Sequence, residues 1–304
     1  MNVLAVCPSK IATGGTESIH KFVNELNKQD GIEAVILYAG DPHDPQPREY
    51  ECYGCEYVTS LPDDYRGVII FPEIYGDAVA SQQHKDCVKV INWAGWDVYQ
   101  WNVPKQRRWM FLKNENVIHL AQSEYAMRQL ENIGLKPMKL SDVLHDDFFE
   151  PYEEEERNDV VLYNPAKMTD FYRKVIKASP FDCRPIMGLS RAGVIDALRH
   201  AKLYIDFGAF SGRERLPREA AMCGCCVLTS KTGAAQYFYD VSIHDEYKFD
   251  DTQLDEVIET MKDIIANYDV HRPFFNVYRS IIKQDRESFK SEVSEIAKVF
   301  LERL

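Results

Sequence analysis

The chain has 304 residues, 45% of them hydrophobic and 28% charged, a balance that excludes a disordered or fibrous protein and fits one large or two smaller globular domains. Lys and Arg number 36 against 48 Asp and Glu, a net charge of -12, which speaks against a general binder of nucleic acid or anionic lipid and leaves room for a local basic pocket. No run approaches the roughly 18 apolar residues of a membrane-spanning helix, and the N-terminus has no basic segment followed by a secretory apolar core. The expectation is a cytoplasmic protein without an integral membrane segment, its eight cysteines reduced.

In chain order, residues 3–7 form a short apolar run of the kind found in buried parallel strands. Thr13-Gly14-Gly15-Thr16 follows, and then Ile19, Phe22, Val23 and Leu26 recur at helical spacing up to a stop at Gly31. Further strands are expected over 34–38, 67–71 and 88–92. Ser123 is placed as the N-cap of a helix carrying Met127, Leu130 and Ile133, closed by Gly134. The composition then changes at Pro151-Tyr152-Glu153-Glu154-Glu155-Glu156, a charge run typical of a solvated connection, and the domain boundary is set at 152/153.

The pattern restarts with a strand over 160–163, a helix capped by Ser190 and a strand over 202–207. A helix is expected over 217–223, with Pro217 in its first position, ended by Gly224 and followed by a strand over 225–229. Leu254, Val257, Ile258, Met261, Ile264 and Ile265 mark an amphipathic helix. Phe289, Val293, Ile296, Phe300 and Leu304 mark another, over 286–304, expected to pack back toward the N-terminal domain. Alternating strands and helices in two halves predict an α/β protein with two doubly wound, Rossmann-like domains, 1–152 and 153–285, facing a cleft. Ligands of such sheets sit at the carboxyl ends of the strands.

Three segments carry chemistry. The glycine pair at 14–15 lets backbone N–H groups approach a phosphate or sugar, the alternative being an ordinary turn. It lacks the GxGxxG and GxxxxGK[ST] spacings, which demotes dinucleotide dehydrogenases and ATPases. Ser211-Gly212-Arg213-Glu214-Arg215-Leu216-Pro217-Arg218-Glu219 brings three arginines and two glutamates between a strand end and a helix start. Guanidinium groups fit phosphate oxygens and carboxylates accept from sugar hydroxyls, so a nucleotide-sugar diphosphate suits the pair; the competing reading is a self-neutralising surface cluster. Asn92 to Trp101 holds three of the four tryptophans, with Trp93 and Trp96 either stacking on an acceptor or packing in a core. Cys52 and Cys55 form a lone CxxC without further ligands, so no metal is expected, and GxSxG is absent.

Thr13-Gly14-Gly15-Thr16-Glu17, Ala121-Gln122-Ser123-Glu124-Tyr125, Ile186-Met187-Gly188-Leu189-Ser190 and, most densely, Pro217-Arg218-Glu219-Ala220-Ala221-Met222-Cys223-Gly224 resemble, in order, segments of the nucleotide-sugar-dependent glycosyltransferases of the GT-B fold, above all their large retaining family. The resemblance implies a transferase that moves a sugar from a nucleotide diphosphate to a glycan or lipid-linked acceptor, in polysaccharide biosynthesis, with retention and without a metal. It places the protein in the cytoplasm or at the inner membrane surface, and it leaves as alternatives an epimerase on the same fold and a non-catalytic nucleotide-sugar-binding protein. Carried over, Glu219 holds the ribose hydroxyls, Lys167 meets the diphosphate, Gly14 and Gly15 border donor and acceptor, and Gly233 lies beside the donor sugar. The chain departs from the family at Ser211, where a glutamate is usual; Glu214 is the nearest acidic substitute and takes the catalytic assignment, orienting the donor sugar. Leu162 replaces the expected cation before Lys167, which assigns diphosphate charge instead to Arg213, Arg215 or Arg218, and Gln236 replaces a glutamate.

Overall fold

A computed structural model of the chain describes residues 1–8, 12–39, 47–81, 83–109, 116–151 and 156–303. It forms two compact units, one of Met1–Asp142 with Arg286–Leu304 and one of Val143–Asp285. The division falls at Asp142/Val143, whereas the acidic run suggested 152/153; residues 152–155 of that run, and the final Leu304 of the last predicted helix, lie outside the described residues.

The first unit is built on a parallel sheet of β1 (Asn2–Cys7), β2 (Glu33–Tyr38), β3 (Tyr57–Val58), β4 (Val68–Pro72), β5 (Val88–Trp93), β6 (Ile118–Ala121) and β7 (Met138–Lys139), in the spatial order β3-β2-β1-β4-β5-β6-β7. The chain winds outward from β1 to β3 and then restarts on the other side at β4, so the switch point lies between β1 and β4. Helices α1 (Gly14–Leu26), α2 (Trp96–Asn102) and α3 (Glu124–Asn132) follow β1, β5 and β6. Thr13 caps α1 through a reciprocal box: its hydroxyl accepts from Thr16 N, and the Thr16 hydroxyl accepts from Thr13 N at 3.0 Å. Ile19, Phe22, Val23 and Leu26 form the buried face of α1, each at most 6% exposed.

Glu73 follows β4 directly and is buried. Its carboxylate accepts from Ala94 N at 3.3 Å and Gly95 N at 3.1 Å, fixing the chain between β5 and α2. Burial pushes its pKa up to about 7, partly offset by those N–H donors. A carboxyl whose native pKa exceeds its unfolded value binds more protons when folded, so this group's contribution declines as pH rises through about 4.5 to 7. Glu73→Gln removes the buried charge but keeps an acceptor for only one of the two N–H groups and turns a donor toward the other. That lost bond costs the variant the same at every pH, so its stability relative to the parent is expected to be about 1–3 kcal/mol more favourable at pH 8, where the parent carries the buried charge, than at pH 4, where it is neutral. Thermal unfolding at the two pH values checks this, and equal effects at both contradict it.

The second unit holds a parallel sheet of β8 (Asn158–Tyr163), β9 (Asp182–Pro185), β10 (Ala201–Asp206), β11 (Cys226–Ser230) and β12 (Lys248–Phe249), in the order β12-β11-β10-β8-β9. Its switch point lies between β8 and β10. The helices are α4 (Asp170–Ala178), α5 (Arg191–His200), α6 (Arg215–Met222), α7 (Leu254–Ala266), the single turn α8 (Tyr268–His271) and α9 (Asn276–Arg303), which belongs to this unit up to Asp285 and to the first unit beyond it. In the first unit Glu292 of α9 accepts from Ser141 N at 2.6 Å and from the Ser141 hydroxyl at 3.0 Å. Leu203, Tyr204 and Ile205 of the central β10 are fully buried, as a strand covered on both faces must be. The helix expected over 217–223 begins two residues earlier, so Pro217 takes its third position, where the backbone N–H would also lack an intrahelical partner. Among the described residues, no helix is long and apolar enough to cross a membrane.

Candidate functional site

In the second unit the connections after β8, β10 and β11 converge at the carboxyl ends of adjacent parallel strands. After β8 the turn is set by Asn164, whose side chain accepts from Ala166 N at 3.0 Å, and it delivers Lys167. The Lys167 ammonium pairs with the Glu214 carboxylate, donates to Ala209 O at 3.3 Å and lies 5.4 Å from the centre of the Phe210 ring. Both members of the pair are about one-fifth exposed, at 23% and 20% of their side chains. The two sides of the switch point are thus joined by this contact.

Asp206 ends β10 and is fully buried. Its carboxylate accepts from Gly208 N at 3.1 Å and from the Tyr204 hydroxyl at 3.2 Å. Burial raises its pKa to about 6, with Lys167 pulling it down. Gly208 lies so close to the Lys167 backbone that a Cβ would stand 2.5 Å from Lys167 Cβ. The hydroxyls of Ser230, which ends β11, and of Thr232 just beyond it both donate to Gly208 O, at 3.0 and 3.3 Å.

Gly233 closes the cluster. It has φ +50°, and a Cβ there would lie 1.9 Å from Phe210 O, which itself accepts from Ala234 N at 2.8 Å. Lys248, buried in β12, donates to Ala235 O at 2.8 Å and holds the same loop from behind. Gly233→Ala therefore forces the 209–211 and 232–235 backbones apart, and a loss of about 1–3 kcal/mol of stability is expected. An unchanged denaturation midpoint contradicts it.

Of the residues the sequence singled out, Lys167, Glu214 and Gly233 come together here. Ser211 and Gly212 are buried beneath the same connection, and Arg215 and Glu219 are half-buried on α6. The arginines divide. Arg213 is 3% exposed at its side chain and its two terminal nitrogens donate to the Asp285 carboxylate at 3.0 and 2.9 Å. Arg218 is fully buried and donates to Arg213 O at 3.0 Å and Glu214 O at 3.2 Å. Arg213 is thus committed to Asp285, and the fully buried Arg218 to backbone carbonyls, so diphosphate charge is not theirs to meet; Arg215 keeps that expectation. Asp206, Gly208, Ser230 and Thr232 were not singled out. Their signal in the sequence is a charged residue closing an apolar strand, followed by glycine.

In the first unit, Gly14 and Gly15 are the opening residues of α1 rather than a free loop, so their N–H groups are first-turn donors without intrahelical partners. Tyr50 braces this turn: its hydroxyl donates to Thr13 O at 3.0 Å and accepts from Thr13 N at 2.9 Å. Trp93 and Trp96 lie in the core, 0% and 7% exposed, and Trp93 Nε1 donates to His119 Nδ1 at 3.1 Å. Core packing, the reading left open for them, accounts for both, and buried rings have no face to offer an acceptor. Trp101 of the same segment is the exposed one, at 64%. The Cys52 thiol donates to Glu49 O and the buried Cys55 thiol to His20 O, both at 3.3 Å.

No family model matches the chain, and no curated protein matches it. Solved structures do. Sucrose-phosphate synthase from Thermosynechococcus elongatus superposes with a TM-score of 0.74 over 100% of both chains at 12% identity. HepE of Anabaena, solved with UDP-glucose, gives 0.75 over 100% of both chains at 12% identity. A glycosyltransferase from Rickettsia africae gives 0.65 at 13% identity, covering 99% of this chain and 98% of its own. At such identities the likeness is one of fold, and with two parallel, helix-flanked sheets each reversing at a switch point, the chain has the two Rossmann-like α/β domains of the GT-B fold.

Proposed function

We propose that the protein is a glycosyltransferase that takes a sugar from a nucleotide diphosphate held by the second unit and delivers it, with retention and without a divalent metal, to a glycan or lipid-linked acceptor. The observation that carries this reading is the convergence of Lys167, Glu214 and the Gly233 loop at the β8/β10 switch point. The chemical demand is to stabilise negative charge growing on the departing diphosphate. A fixed ammonium beside backbone N–H groups meets that demand without reorganising during the reaction. Glu219 would accept from the ribose hydroxyls, Arg215 would share the diphosphate charge, and Glu214 would orient the donor sugar. The likeness of 217–224 to the retaining family supports retention. Burial pushes the Cys223, Cys225 and Cys226 thiols up to about 12, so they stay protonated and contribute packing rather than chemistry, and the setting proposed is the cytoplasm.

A non-catalytic sugar-nucleotide-binding protein is the second reading, favoured by Ser211 where the family carries a carboxylate. Incubation with a panel of sugar nucleotides separates the two. Release of nucleoside diphosphate in EDTA, with an α-linked product by NMR from an α-linked donor, is the expected result. Binding without release in the presence of any tested acceptor or water supports the second reading.

A further inference from the structure

We infer that Glu214 is a resident anion: it occupies the place on the Lys167 ammonium that the distal phosphate of a nucleoside diphosphate takes, so it competes with diphosphates and holds down their affinity, while monophosphates, which have no distal phosphate, bind without displacing it. This rests on the donor-site reading above. Glu214 is the N-cap residue of α6, where a carboxylate ordinarily accepts from the N–H of the second or third helical residue. It makes no such bond. Pro217 occupies the third position and has no N–H to give, so little holds the carboxylate at the helix end, and it turns to Lys167 instead.

The lysine itself has little freedom to choose another arrangement. Gly208 packs against its backbone and Cβ, Ala209 O takes a second ammonium hydrogen, and Phe210 covers one side. Asp206 lies buried beneath Gly208, out of reach of an entering ligand. The exchangeable partner is therefore Glu214, one-fifth exposed, and the fixed surroundings are Asp206, Ala209 and Phe210. An entering phosphate replaces a carboxylate on the same ammonium, an exchange of like for like that leaves Lys167 charged and paired throughout. The displaced carboxylate is then free to accept from hydroxyls of the donor sugar, which gives one residue two successive partners.

The test is equilibrium titration of the full chain and its Glu214→Gln variant with ADP, GDP, UDP, CDP and TDP, and with the matching monophosphates. Glutamine keeps the size of the side chain and removes the competing charge. The diphosphate that binds the parent is expected to bind Glu214→Gln about 5- to 10-fold tighter, with monophosphate affinity changed less than twofold. Glu214→Ser, which removes the side chain from Lys167 altogether, is expected to shift diphosphate affinity in the same direction, and Lys167→Ala combined with Glu214→Gln to abolish the gain. Unchanged or weaker diphosphate binding in both Glu214 variants overturns the inference and leaves the donor site standing. An equal gain for monophosphates overturns the assignment of Lys167 to the distal phosphate. A parent that binds no diphosphate removes the donor site, and the inference with it.

Discussion

Lys167→Ala is expected to lower the rate of sugar transfer by about 100- to 1,000-fold, the range seen when one preorganised stabiliser of developing negative charge is removed. The ammonium is held by the Glu214 carboxylate, Ala209 O and the Phe210 face, so it needs no rearrangement of its own backbone to meet the leaving diphosphate. Alanine also leaves Glu214 without its partner beside an anionic ligand, so donor affinity falls together with turnover. Lys167→Arg keeps a charge but not the shape against Gly208, and it is expected to recover only part of the loss. Steady-state rates with the preferred sugar nucleotide check both variants. A Lys167→Ala protein within threefold of the parent contradicts the assignment.

The second large effect is on stability. Arg213 and Asp285 form a bidentate pair with side chains 3% and 7% exposed, with Asp240 also buried 4.0 Å from Arg213 Nε. Breaking such a pair from one side leaves an uncompensated buried charge, and Arg213→Ala is expected to cost about 3–5 kcal/mol. At about 2–4 °C per kcal/mol for a protein segment of this size, the melting temperature falls by about 6–20 °C. Arg213→Leu with Asp285→Leu removes that pair but leaves the buried Asp240 without the Arg213 cation, and it is expected to recover only part of the loss. Calorimetry of the three proteins tests this; an Arg213→Ala protein that melts with the parent contradicts it. The same pair joins the connection after β10 to α9, so the variant is also expected to weaken donor binding through the Glu214 backbone that Arg218 holds.

Much of this architecture is written in apolar periodicity. The runs at 3–7, 34–38, 88–92 and 202–207 fall on strands because a strand covered on both faces is predominantly apolar, the buried Lys89, Asn92 and Asp206 being exceptions. The strands that escaped are the four edges and β6, an interior strand of only four residues, Ile-His-Leu-Ala. β3, β7 and β12 have two residues each, too few for any period, and β9 reads Asp-Cys-Arg-Pro, largely polar because an edge faces water. The helix α4 had its signals in Thr169 and the spacing of Phe171, Tyr172 and Val175, which a reading led by longer apolar stretches passed over.

The candidate site was legible to the extent that it is local. Glu214, Glu219 and the glycine at 233 follow from a strand–turn–helix unit and its position at a strand end. Which arginine faces a ligand is not local: the partner that buries Arg213 stands 72 residues away in sequence, and composition alone counts every arginine of the cluster as available. Asp206 was hidden for the opposite reason. A lone carboxylate at the end of an apolar strand carries no motif, and only the Gly208 and Tyr204 hydrogen bonds give it a place in the site. Trp93 and Trp96 show the ambiguity of aromatic clusters, since the same residues that stack on sugars also build cores.

The most direct test of the account is calorimetric titration of the protein with nucleoside diphosphates in EDTA, repeated on Lys167→Ala and Glu219→Ala. One diphosphate is expected to bind at a single site in the parent, with affinity at least about tenfold weaker in each variant, equivalent to about 1.4 kcal/mol. Absence of binding by every diphosphate, or binding indifferent to both substitutions, contradicts a donor site at the carboxyl ends of β8, β10 and β11.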